Sequence, residues 1–319
     1  MSKVNKEDFV EKIKVENFTK DYGSGRGVFN VSFEINEGEV YGFLGPNGAG
    51  KSTTIRHLMG FSKPDSGSVR ILGLESFENY DKFMSKVGYL PGEIALPDGL
   101  TGYEFLDMME KLKRVKDDAW VKYLLELFEL DPSGETKRMS LGVKRKLAVV
   151  TAFMNDPDIL ILDEPTSGLD LKMQQKFIEF IKQEKKRGKT ILLSSHIFSE
   201  VDATCDRIAI IKDGKMVSEF VADDLRHNTN KRYLIEFTSV MDAKNFVKDY
   251  KENAYFKISA IDGRNVIVEV NDKDINELIK ILSTVNIDSF THLKETLEDY
   301  FMKYYKEDKD FGGALWLMR

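Results

Sequence analysis

Short, continuous apolar runs alternate with helix-forming segments through the first two thirds of the chain. Two of these runs, VYGFL at 40–44 and ILIL at 159–162, have the length of strands. Such runs beside helical segments are typical of buried parallel strands. The pattern therefore predicts a layered α/β core for this part of the chain.

An insertion between Thr101 and Leu130 has a helical pattern with its own apolar stripe. It predicts two helices, the first opened by a T-x-x-E capping box from Thr101 to Glu104. The first candidates for contact with another protein are Tyr103, Phe105, Met108 and Met109, although some of the four are expected to face the core instead. The charged run KQEKKRGK at 182–189 predicts a solvated helix end capped at Gly188.

The stretch from about residue 229 onward has a plainer pattern. Its segments predict strand, helix, strand, strand, helix and strand, then a last helix through Tyr300. This β-α-β-β-α-β order is the ferredoxin-like plan. We place the boundary in the polar segment DDLRHNTNKR. We therefore expect domains at 1–225 and 229–319, the first with a helical subdomain at about 101–155.

Composition narrows the class of protein without naming it. The 319 residues are 42% hydrophobic and 31% charged, which is ordinary for a folded globular protein. The apolar runs are far shorter than the roughly 20 residues of a membrane helix. The N-terminus lacks the apolar core of a secretion signal, and the single cysteine, Cys205, has no partner for an internal disulfide. We expect a cytoplasmic protein, and the net charge of −6 argues against a nucleic-acid partner.

The glycine-rich segment GPNGAGKST lies between the strand VYGFL and a helical segment that ends near Gly60, which is the context of a P-loop. Its glycines let backbone N–H groups converge on phosphate oxygens at a helix N-terminus. Lys51 is expected to reach the β- and γ-phosphates and Ser52 to ligate Mg²⁺. The predicted nucleotide-binding residues here are Gly45, Pro46, Asn47, Gly48, Ala49, Gly50, Lys51, Ser52 and Thr53.

Two adjacent carboxylates, Asp163 and Glu164, end the apolar strand ILIL. Paired carboxylates at a strand end are costly unless a cation and a reacting water occupy the site. We assign Asp163 to Mg²⁺ and Glu164 to polarising the attacking water.

Five motifs in order give a specific resemblance over residues about 10 to 220. They are GPNGAGKST, MSLGVKRK as a variant of LSGGQ, ILILDEP, SGLD, and the histidine of LLSSHIFSEVD. The chain resembles the nucleotide-binding subunit of an ATP-binding cassette transporter. The resemblance implies an α/β P-loop ATPase with a RecA-like parallel-sheet core, an antiparallel β subdomain and a helical signature subdomain. It also implies ATP and Mg²⁺ as ligands.

In this family two subunits close head to tail on two ATP molecules. The resemblance implies that Ser140, Leu141 and Gly142 meet the ATP held by the P-loop of a second copy. Ser140 is also placed to cap the helix that follows, and a helix N-terminus is a ready anion site. Leu141 and Val143 depart from the strict motif, which removes polar contacts.

Three further roles follow from the resemblance. His196 contacts the γ-phosphate and helps hold the attacking water, so it joins Glu164 as a catalytic residue. Tyr22, in KDYGSG, stacks on adenine. Asp170 of SGLD links the two active sites across the dimer.

The family usually has a glutamine where this chain has Gly92, followed by Glu93, in VGYLPGEIALPDGLT. That glutamine touches Mg²⁺ and the water and senses the permease. Two alternatives remain open from the sequence. Either Glu93 reaches the metal in its place, or the contact is missing and turnover depends more on the partner.

Two other classes of nucleotide-binding protein are disfavoured because their characteristic sequence features are absent. The N-K-x-D segment of GTPases is absent, and no sustained heptads separate Lys51 from Ser140 as in chromosome-associated ATPases. Two alternatives remain: a transporter subunit that works with a separate permease, and a cassette ATPase that serves a soluble scaffold. The resemblance is closest to single-cassette exporters, partly through the ending TLEDYFMKYYKE. It places the protein on the inner face of the cell membrane, held there by the permease.

Overall fold

The computed structural model describes residues 11–226, 229–293 and 296–305. The chain divides into two compact units, with the boundary between Ala222 and Asp223. His227, in the predicted boundary segment, lies outside the described residues. The tail DFGGALWLMR, in the predicted second domain, also lies outside them. Each unit is described by itself.

The first unit contains two sheets. Its strands are β1 (Glu11–Asp21), β2 (Gly27–Asn36), β3 (Val40–Leu44), β4 (Ser66–Ile71), β5 (Leu74–Glu75), β6 (Val87–Leu90), β7 (Ile159–Asp163), β8 (Thr190–Ser195), β9 (Arg207–Lys212) and β10 (Lys215–Val221). Its helices are α1 (Lys51–Leu58), α2 (Ser76–Phe83), α3 (Gly102–Lys113), α4 (Asp118–Leu127), α5 (Leu141–Phe153), α6 (Leu171–Lys186) and α7 (Phe198–Thr204), and α8 (Ala222–Arg226) spans the boundary.

The larger sheet has six strands in the order β10-β9-β3-β8-β7-β6. Neighbouring strands from β9 to β6 are parallel, and β10 adds an antiparallel edge. Every residue of β3, β7 and β8 is buried, as expected for parallel strands covered on both faces. Because parallel strands share a carboxyl edge, the segments that follow β3, β8, β7 and β6 meet there.

The smaller sheet is antiparallel, in the order β2-β1-β4-β5. Alternate residues of β2 are buried, so one face of this sheet packs on the core and the other faces solvent. Phe33 of β2 stacks on Tyr41 of β3, with ring centroids 5.3 Å apart. The two sheets therefore share one apolar cluster. The predicted parallel core and antiparallel subdomain are confirmed.

Helices α3, α4 and α5 form the helical part of the first unit. The predicted capping box is present: Thr101 Oγ1 accepts from the Glu104 N–H, and Glu104 reaches back to the Thr101 N–H at 2.7 Å. Ser140 caps α5 by accepting from the Val143 N–H at 3.3 Å. These short polar side chains fix where the helices begin.

Two local expectations need correction. Phe105 faces the core, unlike Tyr103, so it offers no surface for another protein. The charged run at 182–189 ends α6 as predicted, with Gly188 at φ 81°. It is only partly solvated, however, because Glu184 is buried and pairs with Arg187 at 2.8 Å.

The second unit has the element order strand, helix, strand, strand, helix, strand, followed by a last helix. The elements are β11 (Asn230–Phe237), α9 (Val240–Tyr250), β12 (Phe256–Asp262), β13 (Asn265–Asn271), α10 (Ile275–Leu282), β14 (Ile287–Leu293) and α11 (Leu297–Tyr305). The strand order is β12-β13-β11-β14. Since β13 lies between β11 and β12, the first β-α-β unit is split, as in the ferredoxin-like plan.

This second unit has a core of its own. Its apolar cluster joins strand residues such as Ile235 and Val268 to Phe246 of α9 and Leu278 of α10. Helices α9 and α10 therefore bury their apolar stripes against the sheet of the same unit. Among the described helices of the whole chain, none is long and apolar enough to cross a membrane.

Candidate functional site

The glycine-rich loop leaves the buried strand β3 and turns directly into α1. Gly48 and Gly50 have φ values of 82° and 110°, which non-glycine side chains rarely adopt. A Cβ at Gly45 would lie 2.5 Å from the Ile211 carbonyl oxygen. The first N–H groups of a helix have no intrahelical acceptor, so the start of α1 can bind an anion.

Lys51, the first residue of α1, is only 5% exposed. Its ammonium group donates to the carbonyl oxygens of Gly45 at 2.6 Å and Pro46 at 3.1 Å. It also lies 3.0 Å from Glu164 Oε1. The lysine therefore joins the loop after β3 to the carboxylate after β7. Ser52, the next residue, is exposed at the same helix start.

Asp163 and Glu164 diverge at the end of β7. Asp163 is buried and accepts a hydrogen bond from Ser194 Oγ of β8. Glu164 has φ 48°, a left-handed conformation that is strained for a residue with a side chain. Its N–H donates to the Ser194 carbonyl at 3.0 Å. This turn aims the Glu164 carboxylate at Lys51.

His196 follows β8, and its Nδ1 lies 2.6 Å from Glu164 Oε2. One carboxylate therefore contacts a cationic lysine through one oxygen and an imidazole through the other. The contact brings together three residues that come from three separate segments of the sequence. The sheet order β3-β8-β7 produces it, because the three strands are neighbours.

Gly92 follows β6, the strand beside β7, and packs against the Asp163 carboxylate. A Cβ on Gly92 would lie 2.9 Å from Asp163 Oδ2, so the loop approaches by its backbone alone. Glu93 is exposed. The backbone at residue 92 therefore lies directly against the predicted metal ligand.

The predicted signature residues lie at the start of α5. Leu141 is 60% exposed, and its side chain packs on Gly168, where an added Cβ would come within 2.9 Å of Leu141 Cγ. Gly142 is similarly close, since a Cβ added to it would lie 3.1 Å from the Gly168 carbonyl oxygen. Asp170 caps α6 by accepting from the Met173 N–H at 2.9 Å. The start of α5 thus lies on the turn that leads to Asp170.

Tyr22 lies in the turn between β1 and β2. Its N–H donates to the Arg26 carbonyl at 2.9 Å, and its ring is 52% exposed. Lys20 Nζ lies 5.8 Å from the ring centroid. The ring is therefore partly open to solvent, on a turn whose backbone is held by a hydrogen bond.

Three side chains that touch this site were missed by the sequence analysis. Ser194 holds Asp163, Glu200 holds the residue before His196, and Arg145 of α5 donates to both loops that flank the carboxylates. Arg145 stands in the run KRK, which favours a solvated basic cluster. No signal in the sequence distinguished it from its neighbours.

Glu200 of α7 is buried beneath the His196 loop. It accepts a hydrogen bond from Ser195 Oγ at 2.6 Å, and Ser195 Oγ in turn accepts from the Ile197 N–H at 3.0 Å. Burial raises the pKa of Glu200 from 4.5 to about 7, although the hydrogen bond from Ser195 opposes the rise. Through Ser195, Glu200 therefore helps to hold the residues on either side of His196.

Comparison with known proteins shows similarity to ATP-binding proteins of transport systems. The family model described as ABC transporter matches residues 28–167. The bacitracin transport ATP-binding protein BcrA of Bacillus licheniformis is 31% identical over 298 residues, covering 91% of this chain and 96% of that protein. Nod factor export ATP-binding protein I of Burkholderia lata is 31% identical over 300 residues, covering 92% and 97%.

Among solved structures, the dimeric post-hydrolysis state of the ATP-binding cassette MJ0796 bound to ADP and Pi is similar. Its TM-score is 0.60 at 26% identity, over 66% of this chain and 98% of that chain.

The raised pKa of Glu200 makes stability depend on pH. The pKa of Glu200 is higher in the folded state than in the unfolded state, so the protonated carboxyl favours the folded state. This contribution to the free energy of unfolding is fully present below pH 4.5 and is lost as the pH rises through about 7. The loss is on the order of 3 kcal/mol at most. Glu200→Gln cannot ionise, so its free energy of unfolding is expected to fall less between pH 5 and pH 8.

Urea unfolding of parent and variant at several pH values measures this difference. Glu179→Gln, at an exposed position on α6, serves as the control and should keep the parental pH dependence. Identical slopes for Glu200→Gln and the parent would show that folding does not raise the pKa of Glu200.

Proposed function

The chain belongs to the ABC transporter family, and we propose that its ATPase activity energises a separate membrane permease that exports a substrate. The observation that carries the proposal is the contact of Glu164 with both Lys51 and His196 at the mouth of the glycine-rich loop. A phosphate-binding group, a base and an imidazole converge there. A lysine beside a phosphate-binding loop and a carboxylate that can orient water are recurring parts of sites for phosphoryl transfer to water.

Binding of ATP begins with the loop from Gly45 to Thr53. The backbone N–H groups at the start of α1 and the Lys51 ammonium would receive the phosphate oxygens. Lys51 already donates to two loop carbonyls and so lies within reach of any group cradled by the loop. Tyr22 would stack on the adenine ring.

The residues also fit Mg²⁺. Ser52 is exposed at the helix start, and Asp163 presents a buried carboxylate whose Oδ1 is oriented by Ser194. A hydroxyl and a carboxylate, completed by phosphate oxygens and water, suit the hard, octahedral magnesium ion. When bound, the ion would neutralise charge on the β- and γ-phosphates.

Hydrolysis would use Glu164 as the group that polarises the attacking water. Its strained turn fixes the carboxylate between Lys51 and His196, so its two oxygens have defined partners. His196 would orient the water and contact the γ-phosphate. Preorganised groups of this kind lower the barrier because they need no rearrangement during the reaction.

The role of Glu164 is tested by Glu164→Gln, which keeps the shape and loses the base. We expect ATP binding to persist while turnover falls about 10²- to 10⁴-fold. Lys51→Ala should instead weaken ATP binding, because it removes the buried cation. The measurements are ATP affinity and ATPase rate of the purified proteins.

Glu78→Gln, at an exposed position on α2, is the matched control and should hydrolyse ATP at the parental rate. If Glu164→Gln also turned over at the parental rate, another group would have to be the base.

We further propose a head-to-tail dimer with two ATP molecules, each held between the loop of one copy and Ser140 and Gly142 of the other. A solved relative is a dimeric cassette bound to ADP and Pi. In this chain the start of α5 is exposed at Leu141, as a surface for a second copy requires. Asp170, close behind it on the turn at Gly168, would connect the two sites.

The dimer is tested with hydrolysis blocked. Glu164→Gln should be monomeric without nucleotide or with ADP, and dimeric with ATP, because only the γ-phosphate reaches the partner's signature. Light scattering after size-exclusion chromatography measures the mass. Adding Ser140→Arg should prevent the dimer without preventing ATP binding. A monomer at millimolar ATP would count against dimerisation of the chain by itself.

Export and a separate permease are inferred from the relatives. The names of two similar proteins specify bacitracin transport and Nod factor export. The chain would then lie on the inner face of the membrane, held by the permease. The helical part offers a docking surface, since Tyr103 of α3, Leu112 of α3 and Tyr123 of α4 are exposed. The loop at Gly92 directly precedes this part in the chain.

Coupling is tested by comparing ATPase rates in nanodiscs with and without the cognate permease. We expect the permease to accelerate turnover, because docking energy can organise the catalytic geometry. Tyr103→Ala should remove the acceleration and keep the basal rate. Tyr80→Ala is the matched control, since Tyr80 of α2 is 54% exposed and Tyr103 is 57% exposed.

Equal rates with and without the permease, with docking established independently, would contradict coupling. That outcome would favour a soluble scaffold as the partner.

A further inference from the structure

Arg145 of α5 is a buried cation, 2% exposed, with three hydrogen bonds to backbone carbonyls. Its Nε donates to Ser167 at 2.9 Å, Nη1 to Pro91 at 2.9 Å and Nη2 to Gly92 at 2.7 Å. A guanidinium group presents its donors in a rigid fork, so these three acceptors have fixed relative positions. One side chain therefore ties together α5 and the loops after β6 and β7.

The first of these loops lies against the predicted metal ligand. Because a Cβ on Gly92 would come within 2.9 Å of Asp163 Oδ2, the backbone itself packs on the carboxylate. A glycine has no side chain to anchor this loop. The anchor is supplied instead by Arg145, through the carbonyl oxygens of residues 91 and 92.

The second loop carries the predicted base. The turn from Glu164 to Ser167 is closed by a hydrogen bond from the Ser167 N–H to the Glu164 carbonyl at 3.1 Å. Arg145 holds the far end of that turn at the Ser167 carbonyl. Glu164 has a strained φ of 48°, and such a conformation persists only where its surroundings enforce it.

The positive charge of Arg145 also stabilises the two carboxylates that its hydrogen bonds help to position. Burial lowers the pKa of Arg145, whereas the nearby carboxylates of Asp163 and Glu164 raise it. Arginine stays protonated even so, because its ordinary pKa is above about 12. The cation therefore offsets the repulsion between two adjacent anions at the end of β7.

We propose that Arg145 is a positioning residue that makes the alignment of Glu164 depend on the placement of α5. The proposal rests on the ATPase function proposed above. Ser140 caps the start of helix α5, where the nucleotide of a second copy would bind, and Arg145 lies about one turn into the same helix. A displacement at the start of α5 is therefore transmitted to the base and to the loop at Gly92. Binding at one nucleotide site would organise hydrolysis at the other.

The test compares the full-length parent with Arg145→Gln, Arg145→Lys and the control Lys146→Gln. Lys146 is the next cation on α5, and its Nζ lies 3.4 Å from the Glu129 carbonyl, away from both loops. For Arg145→Gln we expect ATP affinity within about twofold of the parent and kcat lower by roughly 10- to 100-fold, the size of effect that small misplacement produces. Arg145→Lys keeps the positive charge but lacks the forked donors of the guanidinium group. Its kcat should therefore lie between those of the parent and Arg145→Gln.

A second measurement separates positioning from general loss of structure. Amide hydrogen exchange in Arg145→Gln should accelerate in the segments 91–93 and 164–169 and stay parental in 45–53, because only the first two segments contact the guanidinium group.

Folded Arg145→Gln with kcat within twofold of the parent would overturn the proposal. The proposal would also be overturned if kcat and ATP affinity fell in proportion and amide hydrogen exchange became faster throughout the first unit. That result is expected if Arg145 only stabilises the fold. If Arg145→Gln fails to fold, Arg145→Lys is judged by the same criteria. An inactive parent would instead contradict the proposed function.

Discussion

The ion pair between Lys51 and Glu164 is the constraint on which the site depends. Two oppositely charged groups with little exposure pay a large desolvation cost, and they are stable together only when the geometry is good and their remaining hydrogen-bonding capacity is used. Lys51 uses two carbonyls of its own loop, and Glu164 uses His196. Each partner thereby fixes the other, and the glycine-rich loop is held over the end of β7.

The parallel sheet supplies this geometry. Strands β3, β8 and β7 are neighbours that end on one edge, so their following residues meet without long connections. The strands are wholly buried, which limits motion of the residues that leave them. Lys51 and Asp163 are held on this rigid edge, and Tyr22 lies on a turn of the other sheet.

Glycines at two positions let other groups approach the backbone closely around the site. Gly92 has no Cβ and lets its loop pack on the Asp163 carboxylate. Arg145 then holds that loop by its carbonyls. Gly168 likewise lets the Leu141 side chain pack on its backbone. Arg145 and Leu141 thus connect α5 with the loops after β6 and β7.

The sequence by itself determined the elements and the chemistry of single segments. Apolar runs predicted β3 and β7, the capping box placed the start of α3, and the glycine-rich loop identified the start of α1. These signals are local, because periodicity and capping depend on residues a few positions apart. Only the tertiary structure decided that Arg145 is buried while Lys146 is partly exposed, that Glu200 lies beneath His196, and that Phe105 points inward. Those outcomes depend on which strands are neighbours, and the burial of one position is set by chain segments far away in sequence.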